Sequence, residues 1–585
     1  MLQDRCYDLG AFEKEVIGAA NRVVADAFVL FEEWFEIPEA SRTVKEEWCT
    51  DFLTGHTFPA ECYTKLHPEN GVADIKVPWE YGRMQYLLPL AAAYRARCDK
   101  RYLDAFRSKI LGFCAANPLG TGVQWACTME VAIRIFNMLA AYELLRKAVP
   151  QNDELHVIIA EQAYLHAEHI WANLETSAKL QENNHYIANL LGLSAVVACY
   201  PAHPKAKKWG RYVRSELMRS AQKQVLSDGC CFERSTRYTR LIGEMLYYAG
   251  RSLLHTPFCL PDEYFCRLTT LGAFLESVTD HRGDSLQLGD NDSGRIIVVS
   301  PAMYNDLRLV GRLVAREAGK ISNEEPALFA EEGLLHGAKS RVLKLDSWSD
   351  AVRLFSDSGI ALVRKGEWSV GLFACDGFKD GAEAGHTHND KLSVVLNVEG
   401  EPFFVDPGSG VYTRDVSVRN RLRGTSQHST LRFEGIEQNE YRGLFGYVKR
   451  GGASLHVDST NEWIMLHGET DCWADRLGVN HKRTVAIEQN CIRIEDSLAG
   501  ALPEKSATRS FVLAPSVLVT KLEESRVLLE SRKVSLSLEA NCRIDVREGL
   551  YSKRYSSVAR TLILDIPYLN RATNAVVIKR IRNAD

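Results

Sequence analysis

The 585-residue chain is predicted to fold as an all-α domain followed by an antiparallel all-β domain. Two features of the sequence carry that prediction. Up to about residue 335, apolar side chains recur at three- and four-residue spacing, as buried and amphipathic helices require. From 336 onward the apolar runs are short, alternate with polar residues and end at turn formers, as half-buried strands require. The chain is also too long for a single core, so two domains, 1–335 and 336–585, are expected.

In the first domain, "MQYLLPLAAAYRARC", "MEVAIRIFNMLAAYELLRKAV", "NNHYIANLLGLSAVVACY" and "IGEMLYYAGRSLL" each carry helical periodicity. Pro and Gly punctuation such as "NPLGTG" and "YPAHPK" separates them, and no strict repeat is visible. In the second domain, "AVRLFSDSGIALVRK", "EWSVGLFAC", "KLSVVLNVEG", "EPFFVDPG", "RTVAIEQNCIRIEDSL" and "VSLSLEANCRIDVRE" read as strands of an antiparallel sandwich.

Composition bounds the function classes. Hydrophobic residues make up 46% and charged residues 25%, and the formal net charge is −4. No global pull toward nucleic acid follows, although a local basic groove for an acidic polymer is compatible with it. Charges interrupt every apolar run of the N-terminal "MLQDRCYDLGAFEKEVIGAANRVV", so no signal-peptide core is visible. No run reaches the roughly 18 apolar residues of a membrane span. A cytoplasmic location is expected, or a periplasmic or secreted one if an export signal has been removed. The 15 cysteines include adjacent Cys230 and Cys231 and no CxxC spacing, which points to reduced thiols.

Four patches offer chemistry. In "QENNHYIANLLGL", Asn183, Asn184 and His185 stand ahead of an apolar helix. One asparagine serves as a cap, but two followed by histidine exceed that need, and amide and imidazole together suit a carboxylate. "DGCCFERSTRYTRL" contains Glu233, Arg237 and Tyr238; if helical, Glu233 and Arg237 form an i, i+4 surface pair. "LGDNDSGR" contains Asp290 and Asp292 and reads as a capped turn, since the rest of a calcium loop is missing.

The fourth patch is "AGHTHNDKLSVVLNVEGEPFFVDPGSGVY". In an extended strand His386 and His388 project to one face, and with Asp406 and His428 they form a donor set suited to zinc or another divalent transition metal. An ideal hairpin turning at Glu399-Gly400 places Tyr412, not Asp406, opposite His388, so either "GHTHND" folds back as a loop or the pairing is irregular.

Taken in order, these patches resemble the heparinase II/III superfamily of polysaccharide lyases. "DIKVPWEYGRMQYLLPLAAAY" and "QWACTMEVAIRI" resemble its helical domain, "ENNHY" and "ERSTRY" its catalytic patches, and "GHTHNDKLSVVLNVEGEPFFVDPGSGVYTRDVSVRNRLRGTSQHSTL" its β-sandwich signature. The resemblance implies an incomplete (α/α) toroid followed by a β-sandwich. It also implies β-elimination on a polysaccharide containing uronic acid: hyaluronan, chondroitin sulfate, heparan sulfate, alginate or a bacterial exopolysaccharide.

Catalytic roles then fall to Asn184, His185, Tyr238 and His386. The metal-binding residues are His388, Asp406 and His428, holding a structural zinc or manganese. The chain departs from the pattern at Thr239, where histidine is common, and at Ser429, where asparagine is frequent. Asn183, Glu233, Arg83, Tyr412 and Arg421 are candidate contacts to an acidic polysaccharide. Nucleic-acid and membrane partners are not expected, and the oligomeric state is left open. Two other readings stand beside this one: a glycoside hydrolase on a toroid, pairing Glu233 with Asp290 as its two carboxylates, and a non-catalytic glycan-binding or exopolysaccharide-assembly protein.

Overall fold

The computed structural model describes residues 12–39, 47–66, 71–176, 182–321, 329–332, 350–376, 385–460, 462–500, 505–570 and 573–581. The expected boundary at 335/336 lies outside the described residues. The chain divides into two compact units: Met1–Val225, Thr239–Ser285 and Ser293–Leu345 form the first, and Leu226–Tyr238, Leu286–Asp292 and Asp346–Asp585 the second. Two short segments from the helical part of the sequence, 226–238 and 286–292, thus belong to the second unit. They carry Glu233, Tyr238 and Asp290.

The first unit contains α1 (Glu13–Val24), α2 (Lys76–Gly82), α3 (Leu87–Arg97), α4 (Lys100–Ala116), α5 (Thr128–Leu145), α6 (Leu155–Ala172), α7 (Asn184–Cys199), α8 (Ala206–Gln224), α9 (Thr236–Leu253), α10 (Asp262–Ser277) and α11 (Leu309–Glu317); the division between units passes through the first turn of α9. Their burial alternates. Helices α5, α7 and α9 are buried almost all round, and so are the first two turns of α3, whereas α4, α6, α8 and α10 bury one stripe.

The packing follows the burial: α3 lies on α5 and α5 on α7, while α4, α6 and α8 pack outside them on α3, on α5 and α7, and on α7 respectively. This is the two-layered arrangement of an (α/α) toroid. The approach of α7 to α5 is close enough that a Cβ on Gly192 would lie 2.8 Å from the Ala132 Cα, so only glycine fits there.

The purely helical expectation for this region needs one correction. Residues Ala27–Leu30 (β1) and Glu33–Glu36 (β2) pair as an antiparallel hairpin, and Thr50–Asp51 (β3) pairs with His56–Thr57 (β4). The first hairpin turns on Phe31 and Glu32, both at positive φ, as a two-residue turn that matches strand twist demands. Neither residue is a usual former of such a turn, so the pattern carried no turn signal.

In the second unit β5 (Ala351–Phe355), β6 (Ile360–Lys365), β7 (Trp368–Phe373), β8 (Ser393–Val398) and β9 (Glu401–Phe404) form a five-stranded antiparallel sheet in chain order. An eight-stranded antiparallel sheet takes strands from 453–500, 518–540 and 574–581, and a four-stranded one from 431–433, 507–512, 545–551 and 559–567. One core joins them: Val363, Leu372 and Leu396 from the first sheet meet Val485, Ile494, Leu536 and Ile578 from the second and Phe511 and Leu564 from the third. Residues alternate inward and outward along these strands, as a β-sandwich requires.

The β8–β9 hairpin resolves the register problem in the sequence. Val398 pairs with Glu401 and Asn397 with Pro402, but a register shift makes Leu396 pair with Phe404. The chain leaves the sheet after Phe404, two residues before Asp406. His386 and His388 precede β8 in non-strand backbone, so the expectation of an extended strand with both on one face is corrected: "GHTHND" is a loop.

Candidate active site and metal centre

The "GHTHND" loop is tied down by backbone and side-chain bonds within the second unit. Thr387 O accepts from Tyr447 Oη at 2.8 Å, Asn389 N donates to Arg423 O at 2.9 Å, and Asn389 Oδ1 accepts from Asn439 N at 3.0 Å. Asp290 N donates to His386 O at 2.9 Å. The neighbouring Gly289 has φ +67°, and a Cβ there would lie 2.6 Å from that same carbonyl, so the close approach depends on glycine.

Asp290, which the sequence suggested was part of a capped turn, is instead a fully buried anion at the centre of the site. Its Oδ2 accepts from His386 Nδ1 at 2.8 Å and its Oδ1 from His388 Nε2 at 2.9 Å. Arg419, from α12 (Val416–Leu422), adds its two terminal guanidinium nitrogens, Nη1 donating to Oδ1 and Nη2 to Oδ2 at 2.7 Å. Burial works against the Asp290 charge, but Arg419 and the two imidazoles more than offset it and hold the carboxyl well below its usual range. Arg419 also lies over the Tyr412 ring, 4.9 Å from its centroid.

Ser235 Oγ donates to Asp290 O at 2.7 Å and accepts from Tyr238 N at 3.1 Å, which places Tyr238 in the first turn of α9. The Tyr238 ring stacks on His386 with centroids 3.6 Å apart and planes 16° from parallel. Its hydroxyl is 3.2 Å from that of Tyr412. Burial pushes the Tyr238 phenol well above its ordinary value, and the Asp292 carboxylate adds to the effect, so the group is a proton donor at neutral pH. With Nδ1 bonded to Asp290, His386 has Nε2 as its remaining nitrogen, 3.9 Å from Glu233 Oε2. Glu233 precedes α9, and both it and Arg237 are buried, so the expectation of an i, i+4 pair on a helix surface is corrected.

His388, Asp406 and His428 come together, all buried, with one donor atom from each within 4.8 Å of the others. The hydrogen bonds assign the protons. His388 Nε2 faces the Asp290 carboxylate, leaving Nδ1 bare. His428 Nδ1 faces Gly424 O at 2.8 Å, leaving Nε2 bare. The two bare nitrogens point at one another across 3.2 Å, and the Asp406 carboxylate lies 3.6 Å from the second. Two lone pairs and a carboxylate converge in a buried space, an arrangement that a cation between them would satisfy. Burial, with Asp390 beside it, pushes the Asp406 carboxyl well above its usual value, and burial brings His428 down to about 3. The donor set fits a divalent metal ion, with Asp290 and Gly424 orienting the imidazoles from behind.

The first unit holds the remaining candidates. Asn183 caps α7, its Oδ1 accepting from His185 N at 3.1 Å. Asn184 is buried, and His185 Nδ1 lies 2.9 Å from Glu175 Oε1. Against the burial that disfavours its charge, the Glu175 carboxylate and Cys127 raise His185 well above its ordinary value. Arg83 is 1% exposed and its guanidinium bonds Glu130 through Nε and Nη2 and Glu80 through Nη1, an internal ion cluster. In the second unit Arg421 is exposed on α12, whose buried Arg419, two residues earlier, holds the anion. Sequence reasoning offered Asp290 only as a carboxylate of the alternative hydrolase and passed over Arg419; "LGDNDSGR" reads as a turn, and an arginine among "VSVRNRLRG" has no distinguishing neighbour.

The two domains carry two family signatures. Residues 37–258 match the Heparinase II/III N-terminus family and residues 349–579 the Heparinase II/III-like, C-terminal family. Among solved structures, "Crystal Structure of Heparinase III" superposes with a TM-score of 0.71 at 17% identity, covering 99% of this chain and 86% of that one. The heparan sulfate lyase HepC from Pedobacter heparinus gives 0.57 at 17% identity, covering 100% and 86%. The Streptomyces coelicolor A3 chondroitin AC lyase, in complex with chondroitin sulphate, gives 0.53 at 11% identity, covering 97% and 79%. No curated protein matches the chain in sequence. The fold is that of polysaccharide lyases with a helical toroid and a β-sandwich. The chain belongs to the heparinase II/III family. No described helix is long and apolar enough to cross a membrane.

Proposed function

We propose that the protein is a glycosaminoglycan lyase that cleaves next to a uronic acid by β-elimination. The observation that carries the reading is the Tyr238–His386 stack, with a protonated phenol beside an imidazole oriented by a buried carboxylate. Elimination removes the proton on C5 of the uronate and expels the oxygen on C4. The C5 carbanion is costly beside a carboxylate, so positive charge and hydrogen bonds on that carboxylate lower the barrier. Asn184 and the imidazolium of His185 suit that task, since Glu175 keeps His185 charged. Tyr238 suits protonation of the leaving O4, and His386 Nε2 suits acceptance of the C5 proton. Tyr412, Glu233 and Asn183 are the proposed substrate contacts, joined by Arg421.

A divalent zinc or manganese ion held by His388, Asp406 and His428 would supply charge that locks the "GHTHND" loop, a structural role. The chain's own groups then do the proton transfers: Asp290 holds His386 Nδ1 and so fixes which nitrogen faces outward. The hydrolase reading requires Glu233 and Asp290 as the acid and base pair. Asp290 is fully buried and bonded to Arg419, His386 and His388, which favours the lyase.

The test is a panel of hyaluronan, chondroitin sulfate, heparan sulfate and alginate, read by the ultraviolet absorbance of an unsaturated uronate. Turnover on at least one polymer is expected, and Tyr238→Phe is expected to lose about 10²–10⁴-fold in kcat with its fold intact. Full activity in that variant, or products without the chromophore, would overturn the reading.

A further inference from the structure

The helical unit contains a second cluster of metal-ligating side chains. Cys127 is the N-cap residue of α5, Glu175 follows α6, and His185 lies in the first turn of α7. Cys127 Sγ is 3.7 Å from His185 Nδ1 and 3.8 Å from Glu175 Oε1, and those two atoms are 2.9 Å apart.

A tetrahedral zinc ion with sulfur, imidazole and carboxylate ligands at about 2.3, 2.0 and 2.0 Å has S–N and S–O edges of roughly 3.5 Å and an N–O edge of roughly 3.3 Å. The three atoms therefore outline one face of that tetrahedron, and nitrogen and oxygen need part by only about 0.4 Å.

The ligands are also backed from behind. Glu175 Oε2 accepts from Asn189 Nδ2 at 3.0 Å, and Asn189 Oδ1 accepts from Glu175 N at 2.8 Å. Asn189 is itself fully buried, and bonds of this kind orient metal ligands and tune affinity. Cys127 is 7% exposed while the His185 side chain is 39% exposed, so the sulfur is shielded and the ion has an approach.

We propose that Cys127, Glu175 and His185 form a sulfur-containing zinc site with an open fourth position. Binding releases the thiol proton of Cys127 and the Nδ1 proton of His185, converting an imidazolium into a neutral ligand. The consequence for catalysis rests on the proposed function: a zinc-bound His185 no longer offers its charge to a uronate carboxylate, and the rate falls. The binding itself does not depend on that function.

Cobalt(II) titration of the full chain distinguishes this site, because His388, Asp406 and His428 contain no sulfur. A thiolate-to-cobalt charge-transfer band in the near ultraviolet is expected in the wild type and in His388→Ala, displaced by added zinc, and absent in Cys127→Ser. Glu175→Gln is expected to weaken cobalt binding about 10-fold or more, which keeps the proposal testable if Cys127→Ser fails to fold. No band in the wild type, an undiminished band in Cys127→Ser, or unchanged affinity in Glu175→Gln would overturn it. A band accompanied by a lyase rate indifferent to zinc would leave the site standing and remove His185 from the reaction.

Discussion

The two histidine clusters use the same side-chain chemistry under opposite conditions. In the helical unit, His185 is half open and faces one carboxylate, so a proton satisfies the pair. In the β-rich unit, His388 and His428 are sealed, each has one nitrogen fixed by a bond behind it, and their bare nitrogens confront each other. A proton shared between those nitrogens would bridge them as an N–H···N bond, whereas a divalent ion would engage both and the Asp406 carboxylate as well. Burial and the outer hydrogen bonds thus set the metal-free state of each cluster: a partly exposed ion pair at His185, and two neutral imidazoles face to face at His388 and His428.

The sharpest way to break the comparison is to remove the carboxylate from each cluster. Asp290→Ala leaves fully buried Arg419 and two imidazoles without their shared partner and is expected to cost about 3–5 kcal/mol in chemical denaturation. Glu175→Ala, in a partly exposed pair, is expected to cost about 1 kcal/mol or less. Equal losses would mean the two sites do not differ in the way described.

Metal removal is the next largest effect. Zinc at about 100 times the Kd of the sealed cluster is expected to add about 2.7 kcal/mol of stability in a Cys127→Ser background, seen as a Tm increase that a chelator reverses. His428→Ala should lose most of that increment. A chelator-insensitive Tm in that background would remove the metal from the sealed cluster.

The smallest effects are in pH dependence, and the two histidines have opposite signs in metal-free protein. His185 is raised, so its contribution to stability is complete below its unfolded value near 6.5 and is lost as pH rises through the higher folded value. His428 is depressed to about 3, so the native state loses stability as pH falls from about 6.5 toward 3. Imidazole NMR at pH 7 should find His185 charged and His428 neutral. Matching titrations would erase the distinction.

Much of this was legible in the chain. Helical spacing in "MEVAIRIFNMLAAYELLRKAV" and alternation in "RTVAIEQNCIRIEDSL" correspond to α5 and to two adjacent strands of the eight-stranded sheet. His388, Asp406 and His428 lie within reach of one another, and His388 stands in a loop where the spacing predicts an extended strand. Asp290 was not legible, because its neighbours Gly289, Asn291 and Ser293 are those of any turn. What distinguishes it is Arg419, 129 residues away in sequence. Glu233 misled for a related reason: "ERSTRY" has helical spacing, but Arg234 takes positive φ and delays α9 until Thr236.

The chain's local pattern carried the class of the long helices and of most strands, because periodicity and motif spacing are local properties of the chain. Tertiary structure alone decided which carboxylate became the buried hub, which nitrogen of each imidazole was left bare and which arginine answered the charge. The hub depends on partners 96 to 129 residues away in sequence and on the exclusion of water, and neither is written in any local pattern.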